Sequence, residues 1–438
     1  MSLTPLDTGA LKSLDFSVTL VYHDVYTTDE LENATRTLLS KWPTLGLRLN
    51  LLRTALRPSN GKLPNVWAGK HIDKSIQDAI DPSNPGISGD GIKQLDRYFN
   101  FANGFRQAFS GQVLFIRSLH FQDATVIRFI IEHCLCDAAG GYEIARAYCN
   151  ILNGNDVPHI SFTRPPMQLR DEIVQKASEK KDTYIRSALV EQTRDIFSWS
   201  WRAMIKKGVK MTTRDILHQE LKRVDDTIYI PRERIEQWKE AAKRQKVDVT
   251  EHDLLASFIY QCHYDRSSPQ DMIIIFSIRR ELQNQTPMHN SCILLPVPLD
   301  NLYNQPADPS RPEIAAEVRR AILEARRPEV MSDLLDFHSH SSKRPMIPRY
   351  VARNAPQASV TSWTHLPFFS LDVRGKLPSF VYGEIDFTPY MKKLGYVLND
   401  VLINWNAGGA KGENGYFIRG RLAPEVWAKI RQTLSEKS

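Results

Sequence analysis

Thr125-Val-Ile-Arg-Phe-Ile-Ile131 is followed by His133-Cys-Leu-Cys-Asp137 and then by Ala138-Ala-Gly-Gly141. An apolar, β-rich run gives way to a histidine, an aspartate four residues on, and a stretch of small residues. A histidine that ends a buried strand and is aimed into a cleft by a turn suits general-base chemistry, because an unperturbed imidazole titrates at about pH 6.5. The spacing alone decides little, since a chain with 12 histidines holds about one His-x3-Asp pair by chance. Its surroundings decide more.

Upstream, Gly111–His120 and Ala124–Ile131 read as two strands joined by Phe121-Gln-Asp123, a hairpin. Downstream, Gly141–Leu152 keeps Ile144, Ala145, Tyr148, Ile151 and Leu152 on one helical face, which predicts a helix from Gly141. The positive end of that helix would lie near His133, where developing negative charge is favoured. Closer to the start, Asp15–Tyr22 reads as a strand and Thr28–Trp42 as a capped amphipathic helix, so the chain opens as mixed α/β.

Composition narrows the class. The chain has 438 residues, 42% hydrophobic and 24% charged, enough for two domains or one elaborate one. Lys and Arg number 57 against 50 Asp and Glu, and the excess is scattered, which argues against a nucleic-acid footprint. Five cysteines in a chain of this size predict no disulfide framework and a reducing compartment. The start lacks a basic, apolar leader, and no run approaches the roughly 18 apolar residues of a membrane span, so a cytoplasmic protein without membrane contact is expected. His133, Cys134 and Cys136 could suggest zinc, but a structural site needs four ligands and Cys149 falls about three turns along the next helix. No metal is expected.

Residues 160–222 begin with Arg164-Pro-Pro166 and read as a charged connector, whose apolar Ile196–Met204 packs back on the body. The second half repeats the mixed pattern. Thr250-Glu-His-Asp253 predicts a capping box before an apolar helix, and Met272–Ile278 a strand buried on both faces and leading into Arg279-Arg280. Val397–Trp405 and Tyr416–Leu422 flank the glycine-rich 407–415 as a terminal hairpin, followed by a helix with Pro424 near its first turn. The glycines join two strands with no Gly-Lys-Ser/Thr, so they read as a loop and not a phosphate cradle.

With these residues in view, the chain resembles the HxxxD acyltransferases of the plant and fungal BAHD type, including fungal trichothecene O-acetyltransferase-like enzymes. His133–Asp137 matches the signature. Phe276-Ser-Ile-Arg-Arg-Glu-Leu282 looks like the strand exit whose first arginine, Arg279, pairs with the motif aspartate. Thr361-Ser-Trp363 followed by Asp372-Val-Arg-Gly-Lys-Leu-Pro378 looks like the family's Ser-Ser-Trp and Asp-Phe-Gly-Trp-Gly-Lys-Pro pair. Two departures stand out: Ala138 replaces the glycine expected after the aspartate, and Val373–Lys376 replace Phe-Gly-Trp-Gly.

The resemblance implies an α/β fold of two chloramphenicol acetyltransferase-like domains, each a mixed sheet flanked by helices, with an active-site tunnel at their interface. Expected bounds are 1–165, a helical crossover at 166–222, and 223–438. It implies an acyltransferase that moves an acyl group, expected to be acetyl, from coenzyme A to a hydroxyl or amine of a small secondary metabolite. His133 would be the general base, and acyl-CoA a co-substrate, with no bound cofactor. Asp137 is expected as structural support, Arg279 and Asp372 in structural ion pairing, and Thr361, Ser362 and Trp363 as oxyanion or substrate-binding residues. A monomer is expected. Two alternatives keep the fold: condensation, hydrolysis or cyclisation of a thioester or natural product without transfer from coenzyme A, and a non-catalytic ligand-binding relative. Pocket shape is expected to depend on loops at 60–100 and 330–360.

Overall fold

The computed structural model describes residues 14–50, 55–58, 66–80, 94–101, 111–158, 160, 189–191, 224–263, 272–281, 288–297, 299, 312–341, 358–387, 403–407 and 415–435. The strands, in chain order, are β1 (Leu14–Tyr22), the two-residue pair β2 (Arg48–Leu49) and β3 (Leu56–Arg57), β4 (Trp67–His71), β5 (Leu114–His120) and β6 (Thr125–Glu132). There follow β7 (Val224–Pro231), β8 (Met272–Ser277), β9 (Cys292–Val297), β10 (Ala358–Ser362), β11 (Phe380–Phe387), β12 (Ile403–Ala407) and β13 (Gly415–Leu422). The helices are α1 (Thr28–Lys41), the single turn α2 (Ile76–Ala79), α3 (Ala138–Leu152), α4 (Arg232–Arg244), α5 (Glu251–His263), α6 (Glu313–Ala325), α7 (Pro328–Ser341) and α8 (Pro424–Ser435).

Two sheets organise the molecule. The first runs β11-β1-β6-β5-β4 and the second β7-β13-β12-β10-β8-β9. In β1 the alternation is literal: Phe16, Val18, Leu20 and Tyr22 join the core beneath α1 and α3, while Val21 belongs to a separate cluster with Leu119 and Val126. α1 starts where Thr27 and Glu30 close a reciprocal capping box. Tyr148 on α3 donates to the carbonyl of Leu31 at 2.7 Å and so fixes the two helices together.

The second core forms around β8, β9 and β10 with α4 to α8. Thr250 and Asp253 make the expected capping box, in which Asp253 Oδ2 accepts from the Thr250 amide at 2.8 Å. β8 is an interior strand, next to the edge strand β9, antiparallel to β9 and parallel to β10, as its unbroken apolar run predicts. The closing hairpin and helix are also present as β12, β13 and α8.

The sheets and helices differ from the sequence reading in two respects. β11 lies in the C-terminal half of the chain yet pairs with β1 over eight positions, Leu14↔Phe387 to Val21↔Phe380, so the stretch 223–438 does not map onto one sheet. The alternation in Phe380–Phe387 suits either sheet, and sequence cannot choose the partner. Residues 328–341, which run into the 330–360 stretch expected as loop, form α7. Most of the 160–222 connector lies outside the described residues, as do 408–414 of the glycine-rich loop. Of the connector, Leu189 and Val190 are buried in the second core.

Candidate active site

His133 sits one residue beyond β6. Its amide donates to the Leu14 carbonyl at 3.0 Å, which extends the β1 ladder, and the Leu135 amide then donates to Glu132 at 2.8 Å to turn the chain. Asp137 ends that turn as the N-cap of α3, its Oδ1 accepting from the Gly140 amide at 3.2 Å. The helix therefore begins at Ala138, three residues before the predicted start, because small residues hid the cap. Ala138 is the first helical residue, and the only described non-glycine residues with positive φ are Lys246 and Arg374, so alanine is unstrained there. The two glycines serve close packing instead. A Cβ on Gly140 would stand 2.5 Å from Cys136 Cβ, and one on Gly141 2.5 Å from Phe16 Cε2. Phe16 in turn meets the His133 ring edge-on, with centroids 5.3 Å apart.

The decisive contacts come from Met288–Cys292, the approach to β9. Asn290 is fully buried; its Nδ2 donates to the His133 carbonyl at 2.7 Å and its Oδ1 lies 2.9 Å from His133 Nδ1. A carbonyl can only accept, so the amide side facing it must be the NH2, and the oxygen must face the ring. Nδ1 therefore carries the proton, and Nε2 is the basic nitrogen of the neutral imidazole. Asn290 thus holds both the backbone and the tautomer of His133.

Asp137 is 3% exposed and turned to a different task. Arg279 Nη2 donates to its Oδ1 at 2.5 Å, and the Ser291 amide donates to its Oδ2 at 2.9 Å. Burial opposes the negative charge, but the Arg279 guanidinium and the amides of Ser291 and Gly140 outweigh it and hold the carboxyl below its usual pKa. Arg279 is raised in return: burial lowers it, and Asp137 more than compensates. Arg279 Nη2 also donates to the His289 carbonyl at 2.9 Å, so the pair joins the turn after β6 to both the exit of β8 and the entry of β9.

Asp372 has other partners. Its carbonyl accepts from Asn153 Nδ2 at 2.9 Å, which places it at the C-terminal end of α3 and not beside Arg279. The next residues make a two-residue turn in which Val373 and Lys376 exchange backbone bonds across Arg374 (φ 54°) and Gly375 (φ 75°). Arg374 pairs with Glu30 of the α1 capping box, and its amide donates to Asn153 Oδ1 at 2.6 Å. The departure from the family motif is thus a turn that docks on α1 and α3.

Thr361 is buried at 5% and registers with Asn404 of β12, one residue past the end of the parallel ladder to β8. Ser362 is engaged locally, its Oγ 2.9 Å from Thr364 Oγ1. Trp363 is a core residue. It lies 6.0 Å from Phe16, and a Cβ on Gly383 would fall 2.0 Å from its ring, so β11 has a glycine where the indole rests.

Asn290 and His365 were not foreseen. Asn290 lies in the polar Met288-His-Asn-Ser run before an apolar strand, a signal that marks a turn but not its partner. His365 is open to solvent yet walled closely by neighbouring atoms. This crowding lowers its pKa and His252 and Arg279 add to the effect, while Asp137 opposes it. Among the described residues no group of three His, Cys, Asp or Glu could hold a metal ion, and no helix is long and apolar enough to cross a membrane.

No family model matches the chain. It is similar to acetyltransferase peniE of Penicillium patulum, 22% identical over 95% of this chain and 94% of that protein. Among solved structures, TRI101 of F. graminearum complexed with coenzyme A and T-2 mycotoxin superposes with a TM-score of 0.67 at 11% identity, over 99% of this chain and 97% of that one. Vinorine synthase does so with a TM-score of 0.63 at 13% identity, over 98% and 91%. The fold is therefore the two-domain, chloramphenicol acetyltransferase-like α/β fold expected from the resemblance.

Proposed function

We propose that this chain is a coenzyme A-dependent acyltransferase of the HxxxD type, with His133 as its general base. The observation that carries the reading is the Asn290 clamp, which holds an imidazole with Nδ1 protonated and Nε2 basic at the junction of the two sheets. The fold likeness to a protein solved with coenzyme A and T-2 mycotoxin, and the acetyltransferase from Penicillium patulum, support acetyl-CoA as donor and a hydroxylated natural product as acceptor.

In this reading His133 Nε2 takes the acceptor's hydroxyl proton as that oxygen attacks the thioester carbonyl. The carbon–oxygen bond forms, the carbon–sulfur bond breaks, and Nε2 returns the proton to the departing thiolate. A positioned base contributes roughly 10²- to 10⁴-fold, and holding two substrates in line roughly 7 to 11 kcal/mol, so the cleft does more than the base. Thr361 is the side chain we assign to the carbonyl oxygen as charge develops there. Ser362 is committed to Thr364, and Trp363 supports Phe16 beneath the histidine. Asp137 and Arg279 are positioning residues: one carboxylate fixes the start of α3, the β8 exit and the β9 entry together.

We assign residues 1–165 with the returning segment 363–387 to the histidine-bearing half, 166–222 to the crossover, and the rest of 223–438 to the second half. A cytoplasmic monomer completes the proposal. The test is to incubate the purified protein with acetyl-CoA, longer acyl-CoAs and a panel of hydroxylated and amino acceptors, and to follow thiol release. Release that depends on the acceptor is expected. Release without any acceptor would favour hydrolysis, and absence of coenzyme A binding would sink the proposal.

A further inference from the structure

The face of the first sheet turned away from α1 and α3 carries a buried cation that no described anion matches. The ladder sets its neighbours: Tyr382 registers with Thr19, Thr19 with Arg128, Arg128 with Arg117, and Arg117 with Ala68 of β4. Registered residues point to the same side, so the two arginines stand next to each other. Both are buried, Arg117 at 6% exposure and Arg128 at 7%. Arg128 has an anionic partner. Its Nη2 meets Asp96 Oδ1 at 2.5 Å, its Nε donates to Thr19 Oγ1 at 2.8 Å, and its guanidinium lies 3.9 Å from the centre of the Phe99 ring.

Arg117 has none among the described residues. Nη1 donates to the carbonyls of Val66 at 2.7 Å and Ile116 at 2.9 Å, but among the described residues no carboxylate pairs with the guanidinium and Nε–H finds no acceptor. Two carbonyls satisfy donors without neutralising charge, and an unpaired buried charge is among the most costly arrangements in a protein. Burial lowers the guanidinium pKa to about 10, which leaves it charged at neutral pH. The unused edge, Nε with Nη2, is one that grips a planar oxyanion in two-pronged fashion. β4 ends the sheet, and the neighbour on that side is the small, partly buried Ala68. Phe115, two residues before, places its ring 5.0 Å from the Arg117 carbon and walls the other side.

We propose that Arg117 forms a binding site for a small oxyanion, a carboxylate or phosphate group, on the face of the first sheet turned away from α1 and α3, beside Ala68 of the edge strand β4. The site is separate from the histidine centre. Arg117 registers with Arg128, five residues before His133, which is about 16 Å at roughly 3.3 Å per residue. The inference does not depend on acyl transfer. The anion is either free or the charged end of a long substrate.

Titration calorimetry on the full-length protein, with inorganic phosphate and separately with acetate, tests the site. Each is run with and without saturating coenzyme A, so that binding at a donor site is told apart. One saturable site for at least one of the two anions is expected, unaffected by coenzyme A. Arg117→Met should abolish it, and Arg117→Lys, which keeps the charge but not the fork, should weaken it about threefold or more. The lysine variant keeps the test decisive if the methionine variant does not fold. No saturable binding in the wild type, or binding undiminished in Arg117→Lys, would overturn the proposal. Once an acceptor is known, a raised KM with unchanged kcat in Arg117→Lys assigns the anion to the substrate. An unchanged KM beside lost anion binding assigns it to a free ion.

Discussion

Replacing Asp137 by alanine should cost the protein its stability before it costs the chemistry. The carboxylate is 5% exposed at the side chain and Arg279 19%, so solvent screens the pair little. Removing one partner of a buried, hydrogen-bonded pair costs about 3–5 kcal/mol, chiefly by stranding the other charge. Loss of the α3 cap adds about 1 kcal/mol, and because both effects run through one carboxylate they overlap and do not simply add. At roughly 2–4 °C per kcal/mol, Tm should fall by about 10 °C. Denaturant unfolding of Asp137→Ala, Arg279→Met and the double variant would measure the coupling, and about 2 kcal/mol of it should be recovered in the double variant. The pH dependence has a definite sign. The folded carboxyl titrates below its unfolded value of about 3.9, so its contribution is complete above that pH and is lost as pH falls through the folded value. Asp137→Asn should remove that part of the acid dependence. A well-folded Asp137→Ala protein with unchanged Tm and reduced turnover alone would refute the reasoning and make Asp137 a participant in the reaction.

Asn290→Ala should lower kcat about 10- to 100-fold, less than loss of the base itself, with coenzyme A affinity unchanged in calorimetry, because the ring remains but its tautomer and orientation are no longer held. Gly141→Ala drives a methyl to 2.5 Å from Phe16 Cε2 in a packed core and should cost about 1–3 kcal/mol in thermal denaturation; an unaltered Tm would show that the ring can move aside. Burial pushes the thiols of Cys149 and Cys262 up to about 12, so at pH 8 both stay protonated and should resist a thiol reagent in the native protein and react after denaturation; rapid native labelling of either would contradict their placement.

What could be read in advance follows the range of the forces involved. β5, β6, α1, the capping box before α5 and the buried β8 are set by local periodicity and capping, and they stand where the pattern puts them. The motif likewise stood out because strand, turn and helix are contiguous in the chain. The Arg279–Asp137 pair, 142 residues apart, came only through the resemblance, and the geometry now places it. Asn290 escaped because nothing local distinguishes an asparagine that clamps a distant histidine from one that turns a loop. β11 escaped for a related reason, since strand alternation fixes which face is buried but not which neighbour supplies the ladder. The start of α3 is not legible in the sequence because Ala138-Ala-Gly-Gly141 carries no apolar periodicity. The cap, not the pattern, starts that helix.

We propose that His133 Nε2 moves the proton in an acyl transfer from coenzyme A. The direct measurement is kcat for acceptor-dependent thiol release by the wild type and by His133→Ala, with the coenzyme A Kd of each protein measured in parallel. A fall of about 10²- to 10⁴-fold in kcat with the Kd unchanged is the predicted result. Turnover retained within about threefold in His133→Ala, in a protein that still binds coenzyme A, would contradict it.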